Sequence, residues 1–235
     1  MGRRSKKLSK DEQQEVEEWI YQNNTEETRM TDTMTISVKC KTENQKSLVN
    51  SIKEKEVTIC SGRAGTGKTF LACAEALKLI KRHAKYKKIV IVKSVTTLKN
   101  EEIGFLKGNL REKMEPFMFS FVHNFEKLVG QAITSKLREL KTIEEMPIAY
   151  MRGINLDRSI IIVDEAQNIS QENMRTILTR LGKDSKMIFL GDERQQDSKG
   201  GNGLTFLMDH FSHIEEIGCV QFNKSDVVRN PLIAK

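Results

Sequence analysis

Only three prolines and a single tryptophan stand among the 235 residues, and no apolar run approaches the ~20 residues that a membrane-spanning helix needs. With 38% hydrophobic and 30% charged residues beside so little proline, the composition excludes a disordered chain and indicates a soluble globular one. Cysteine is sparse and scattered: Cys40, Cys60, Cys73 and Cys219 share no framework spacing. Disulfides are therefore not expected, and a reducing, cytoplasmic setting is. Of the histidines only His210 and His213 are close, with no further cysteine or histidine beside them, which argues against a metal centre of that type. The basic start Met1-Gly2-Arg3-Arg4-Ser5-Lys6-Lys7 lacks the apolar stretch of a signal peptide, and Lys6 occupies the Ser/Thr position of a myristoylation site. No membrane association is expected, and no internal repeat is found. What the chain has in excess is positive charge: its net +7 suits an acidic polymer as partner without requiring one.

A chain of this length builds one sizeable domain. Residues 1–33 read as a polar leader, with a helix near 9–22 carrying Trp19, and residues 34–235 as the domain itself. Its centre is the stretch Val57-Thr58-Ile59-Cys60-Ser61, an apolar strand that enters Gly62-Arg63-Ala64-Gly65-Thr66-Gly67-Lys68-Thr69-Phe70 and then a helix expected over 67–83. Glycines between a buried strand and a helix N-terminus let consecutive N–H groups converge on phosphate oxygens at the positive end of the helix. In this pattern Lys68 reaches the β and γ phosphates of a nucleotide and Thr69 ligates Mg²⁺. Residues 62–70 are thus the candidate nucleotide cradle.

Around the loop, Thr35 to Lys39 alternates like a strand and Asn44 to Ile52 reads as a helix. Ile89 to Val92, Ile160 to Val163 and Met187 to Leu190 are apolar strands of the kind buried on both faces. With the strand before the loop they make four buried β runs separated by helical stretches, which predicts an α/β fold with a mostly parallel sheet covered on both faces. A helical insertion is expected near 94–150, where Met114, Phe117, Phe121, Phe125 and Leu128 recur at helical spacing. That aromatic face reads as core rather than a base-stacking platform. Lys78, Lys81, Arg82, Lys85, Lys87 and Lys88 read as a solvated helix end answering the helix dipole, in preference to a nucleic-acid patch.

The strand Ile160 to Val163 ends in Asp164-Glu165. Asp164 would hold Mg²⁺ and Glu165 would polarise the attacking water, each completing what Lys68 and Thr69 begin. The strand Met187 to Leu190 runs into Gly191-Asp192-Glu193-Arg194-Gln195, where Gln195 is placed to sense the γ phosphate. Near the end, Arg229 follows Asp226-Val227-Val228 and offers a guanidinium to charge developing on the transferred phosphoryl group.

Taken together, Gly65-Thr66-Gly67-Lys68-Thr69, Gly104-Phe105-Leu106, Lys113-Met114-Glu115-Pro116, Tyr150-Met151-Arg152-Gly153, Asp164-Glu165-Ala166-Gln167-Asn168, Leu178-Thr179-Arg180-Leu181-Gly182, Gly191-Asp192 with Gln195 and Asp197, and Asp226-Val227-Val228-Arg229 resemble the PhoH-like ATPases, relatives of the first motor domain of superfamily 1 helicases. Lys107, Ile154-Asn155 and Asn230 depart from that family's usual residues. The resemblance implies a RecA-like core, ATP and Mg²⁺, and a link to RNA or single-stranded DNA. It also implies that Gln45 reads the adenine. A lone motor domain lacks the second lobe that closes over ATP in monomeric helicases. A head-to-tail homo-oligomer, drawn as a hexameric ring, is therefore expected, with Arg229 or Arg180 completing a neighbour's site. A nucleotide-gated binding protein and, less well supported, a small-molecule kinase are the alternatives.

Overall fold

The protein is described by a computed structural model over residues 31–93, 110–195 and 202–228. In chain order the elements are α1 (Glu43–Glu54), β1 (Val57–Ser61), α2 (Lys68–Arg82), β2 (Lys88–Lys93), α3 (Leu110–Val129), α4 (Gln131–Glu139), β3 (Ile143–Glu145), β4 (Ser159–Asp164), α5 (Gln171–Leu178), β5 (Lys186–Gly191), α6 (Gly203–Phe211) and β6 (Ile217–Gln221). The six strands form one sheet in the order β3-β2-β4-β5-β1-β6, and every pairing is parallel.

Because successive side chains of a strand point to opposite faces, the apolar central strands feed two cores. Ile89, Ile91, Ile160, Ile162, Ile188 and Leu190 face α1, α2 and α3 through Leu48, Leu71, Leu77, Phe121 and Phe125. Val90, Val92, Ile161, Val163, Met187 and Phe189 face α5 and α6 through Met174, Ile177, Leu204 and Leu207. A parallel sheet of this kind leaves neither face to water.

Two expectations are corrected. Thr35 to Lys39 alternates, and Ile36 and Val38 do pack against the first core. Among the described residues no strand forms there: the segment joins no strand of the sheet, and the residues just before it are tied to α2, where Lys81 Nζ donates to the carbonyls of Asp32 (2.9 Å) and Met34 (2.6 Å). The sheet also has strands beyond the four apolar runs: β3, inside the insertion read as helical, and β6. Both lie at sheet edges and are only partly buried, so neither carries a continuous apolar run. The helix expected near 9–22 and residues 94–109 of the insertion lie outside the described residues.

Candidate nucleotide-binding site

All the polar loops of interest leave the same, C-terminal edge of the sheet. β5 lies between β1 and β4, so the loop after β5 emerges between the glycine loop and Asp164-Glu165. The register aligns Ser61 with Gly191, and Gly62 N–H donates to the Gly191 carbonyl (3.0 Å), joining the first and third loops at their roots.

Gly65 and Gly67 take positive φ (79° and 85°), the left-handed region open to glycine at little cost. Gly67 caps α2 without any side-chain hydrogen bond, and the first turn of that helix contains no acidic residue. The leading N–H groups and the positive helix end are thus left for an anion. Thr66 is buried, its Oγ1 donating to the Arg63 carbonyl (2.8 Å), while Arg63, Thr69 and Phe70 are half-buried and Ala64 is exposed. Lys68 is itself buried, and its Nζ turns onto the carbonyls of Gly62 (2.5 Å) and Arg63 (2.9 Å). Burial lowers its pKa, against the pull of Cys60, Asp192, Asp164 and Glu165. Charges from β4 and β5 therefore converge on the lysine that β1 and α2 present.

Asp164 ends β4 and is buried. Burial pushes its carboxyl up to about 6 and the neighbouring charge of Glu165 adds to this, while Lys93, a backbone N–H and Lys68 pull it down. Asp164 at the end of β4 and Thr69 in the first turn of α2 are hard-oxygen donors, the chemistry that fits Mg²⁺, a cation that keeps most of its waters. Glu165 adopts left-handed backbone (φ 53°, ψ 41°), rare for a residue with a side chain, which breaks the strand direction immediately after Asp164.

Gln167 is the site residue whose role the sequence did not disclose. It is 1% exposed; its Nε2 donates to Glu165 Oε2 (2.7 Å) and its Oε1 accepts from the Asp192 N–H (3.1 Å). One amide thus links the carboxylate after β4 to the loop after β5. Gly191 makes room for it, since a Cβ there would lie 2.4 Å from Gln167 Oε1. Asp192 is buried and its carbonyl accepts from Gln195 N–H (3.0 Å), leaving the Gln195 side chain exposed at the same edge. Replacing Gln167 by Ala is expected to lower kcat about 10–100-fold, the usual effect of losing a residue that orients a reacting group. ATP affinity should stay within about twofold, and Gly191→Ala should give the same kinetic pattern; a fall in affinity equal to that in kcat would assign Gln167 to binding instead.

Gln45 is buried behind the loop. Its Nε2 donates to the Thr66 carbonyl (2.9 Å) and its Oε1 accepts from Lys41 N–H (2.6 Å), so both ends of the amide are occupied by backbone. The C-terminal segment closes over the same region. A Cβ on Gly62 would lie 2.4 Å from Phe222 Cβ, and Val228 N–H donates to the Gly65 carbonyl (3.1 Å). Asp226 Oδ2 accepts from Asn44 Nδ2 and from Asn223 N–H, each at 2.8 Å. Burial would raise the Asp226 carboxyl, but hydrogen bonds from Thr42, Asn223 and Asn44 hold it below its ordinary value. Its contribution to stability is accordingly present at neutral pH and is lost only as pH falls through that lowered value. Arg229 lies outside the described residues. Arg180 sits at the opposite edge of the sheet, where its carbonyl accepts from Leu156 N–H (3.0 Å) ahead of β4.

A glycine loop opening a helix, with strand-end carboxylates gathered about its lysine on a parallel sheet, defines a RecA-like P-loop nucleotide-binding domain. The chain belongs to the PhoH family, since the family model for PhoH-like proteins matches residues 37–235. It is 38% identical over 201 residues to a PhoH-like protein of Bacillus subtilis (strain 168), covering 85% of this chain and 62% of that protein. Against the Protein PhoH of Escherichia coli (strain K12) the identity is 32% over 202 residues, covering 84% and 56%. The chain thus spans roughly three fifths of the length of these curated relatives. Among solved structures, the Pyrococcus furiosus Hef helicase domain is similar with a TM-score of 0.46 and 18% identity, over 78% of this chain and 38% of that one.

Proposed function

We propose that this chain hydrolyses ATP with Mg²⁺ and couples turnover to RNA or single-stranded DNA, acting as a homo-oligomer. The observation that carries the proposal is that Asp164, Glu165 and Asp192 stand at the ends of β4 and β5, on the same sheet edge where the glycine loop presents Lys68 at an uncapped helix N-terminus. Lys68 would exchange the carbonyls of Gly62 and Arg63 for β- and γ-phosphate oxygens, and Thr69 and Asp164 would hold the cation that neutralises them. Glu165 would then orient and deprotonate the attacking water. Gln195 would meet the γ phosphate, its presence transmitted to Glu165 through Asp192 and Gln167. For Gln45 to reach an adenine it would give up one of its two backbone partners. A water-activating pair suits hydrolysis better than transfer to a small-molecule acceptor, which disfavours a kinase.

ATP turnover, measured with and without RNA and single-stranded DNA at two salt concentrations, tests this reading. Stimulation that fades as salt rises is expected, because phosphate contacts weaken as counterion release becomes less favourable. Turnover that no nucleic acid alters would replace the coupled motor by a nucleotide-gated binding protein.

A further inference from the structure

We propose that the edge of the sheet opposite the nucleotide site grips the phosphate backbone of nucleic acid, an inference that rests on the nucleic-acid reading above and assigns it a surface. The loops entering five adjacent strands each bring a basic residue to this edge: Lys141 before β3, Lys87 before β2, Arg158 before β4, Lys183 before β5 and Lys55 before β1. At ~4.8 Å between neighbouring strands the row is roughly 20 Å long, long enough to meet several successive phosphates of a single strand.

The row is built rigidly. Lys87 N–H donates to the Arg158 carbonyl (2.6 Å) and Arg158 N–H to the Lys183 carbonyl (2.8 Å). The Arg158 guanidinium reaches across to the carbonyls of Ala84 (2.9 Å) and Lys85 (3.1 Å). Lys141 and Arg158 are both held at positive φ (58° and 52°), an uncommon state for long side chains. These charges are not internally cancelled: among the described residues, the salt bridges include none made by Lys85, Lys87, Lys141, Arg158 or Lys183. Lys186 nearby has its pKa lowered by burial and then by the charge of Lys85. The acidic residues of these loops are Glu56, Asp157 and Asp184. Asp157 Oδ1 is engaged by Lys183 N–H (2.8 Å).

Among the described residues no large hydrophobic stands fully exposed at this edge. The large exposed hydrophobics among the described residues, Phe119 and Tyr150, belong to other parts of the fold. A protein partner or a bilayer would use an apolar anchor in addition to charge. A polyphosphate chain is held by charge alone through counterion release, without base readout. Because the row is separated from the nucleotide loops by the length of the strands, this grip would persist through the ATP cycle.

The test is a variant of this chain with Lys85, Lys87 and Lys141 each changed to Gln; Lys183 is kept because it shares the Arg180 loop, and Arg158 because it braces its neighbouring loop. Binding of a single-stranded uridylate 20-mer is followed by fluorescence anisotropy from 50 to 200 mM salt, with and without ATP. The expected result is affinity at the lowest salt weaker by on the order of tenfold or more, and a shallower salt slope, by about one for each phosphate contact removed. Basal ATP turnover should be unchanged. Parental affinity and slope in the variant would overturn the assigned surface while leaving the nucleic-acid reading intact. A per-lysine loss no greater than that of a Lys39→Gln/Lys127→Gln control would overturn it equally. Parental protein that binds no nucleic acid would instead overturn the reading on which the inference rests.

Discussion

Glu165→Gln protein is expected to bind ATP and Mg²⁺ like the parent and to turn ATP over on the order of a hundredfold or more slowly, within the 10²–10⁴ range typical of general-base removal. The left-handed backbone at Glu165 and the hydrogen bond from Gln167 give its carboxylate a definite direction beside Lys68. Gln preserves the shape and much of the hydrogen bonding while removing the ability to take a proton. Titration calorimetry with ATP and single-turnover phosphate release separate the two effects. Parental hydrolysis by Glu165→Gln would remove the residue from the reaction. Lys68→Ala provides the contrast: it takes the positive charge from the phosphates themselves, so nucleotide affinity should fall together with turnover.

Arg180→Ala should retain ATP affinity and lose turnover by roughly 10³–10⁵, the range associated with an arginine that neutralises the transferred phosphoryl group. Arg180 lies at the strand-start edge, away from its own glycine loop, so such a role would be played toward a neighbour. Its guanidinium contacts are to neutral oxygens, the Ile154 carbonyl and Thr179 Oγ1 (both 3.1 Å), and its buried Nε has no partner. In a closed head-to-tail ring, six copies being the expected number, this arginine would meet the next subunit's ATP. Mixing Arg180→Ala with Lys68→Ala protein should then restore part of the activity, because some interfaces pair an intact loop with an intact arginine. Arg229 remains the other candidate. It follows Val228, whose N–H is bonded to Gly65 of the same chain, so loss of turnover in Arg229→Ala without rescue by mixing would favour an intrachain role. Full turnover by a stable Arg180→Ala monomer would exclude the trans arrangement.

The glycine loop and the three apolar strands around it were legible because each depends on local chemistry: positive φ at Gly65 and Gly67, and burial on both faces for Ile160 to Val163 and Met187 to Leu190. β3 and β6 escaped notice because an edge strand is defined by its partner more than by its own apolar residues. At Thr35 to Lys39 the opposite happened: alternating burial is real, but a strand also requires a neighbour, which no local pattern records. The role of Gln167 was hidden for a similar reason, since its two partners, Glu165 and Asp192, are 2 and 25 positions away. Likewise, the Asp226 motif stood out in the sequence, yet its packing on Asn44 joins positions 182 residues apart. The neighbours of the basic cluster after α2 were hidden in the same way, since Arg158, whose guanidinium bonds the Lys85 carbonyl, lies 73 positions on.

The most direct measurement of the central claim is steady-state phosphate release from ATP by the purified chain with Mg²⁺, run in parallel with Lys68→Ala and Glu165→Gln proteins. The account predicts turnover by the parent, loss of both binding and turnover in Lys68→Ala, and ATP binding without comparable turnover in Glu165→Gln. Equal phosphate release by all three proteins would contradict it.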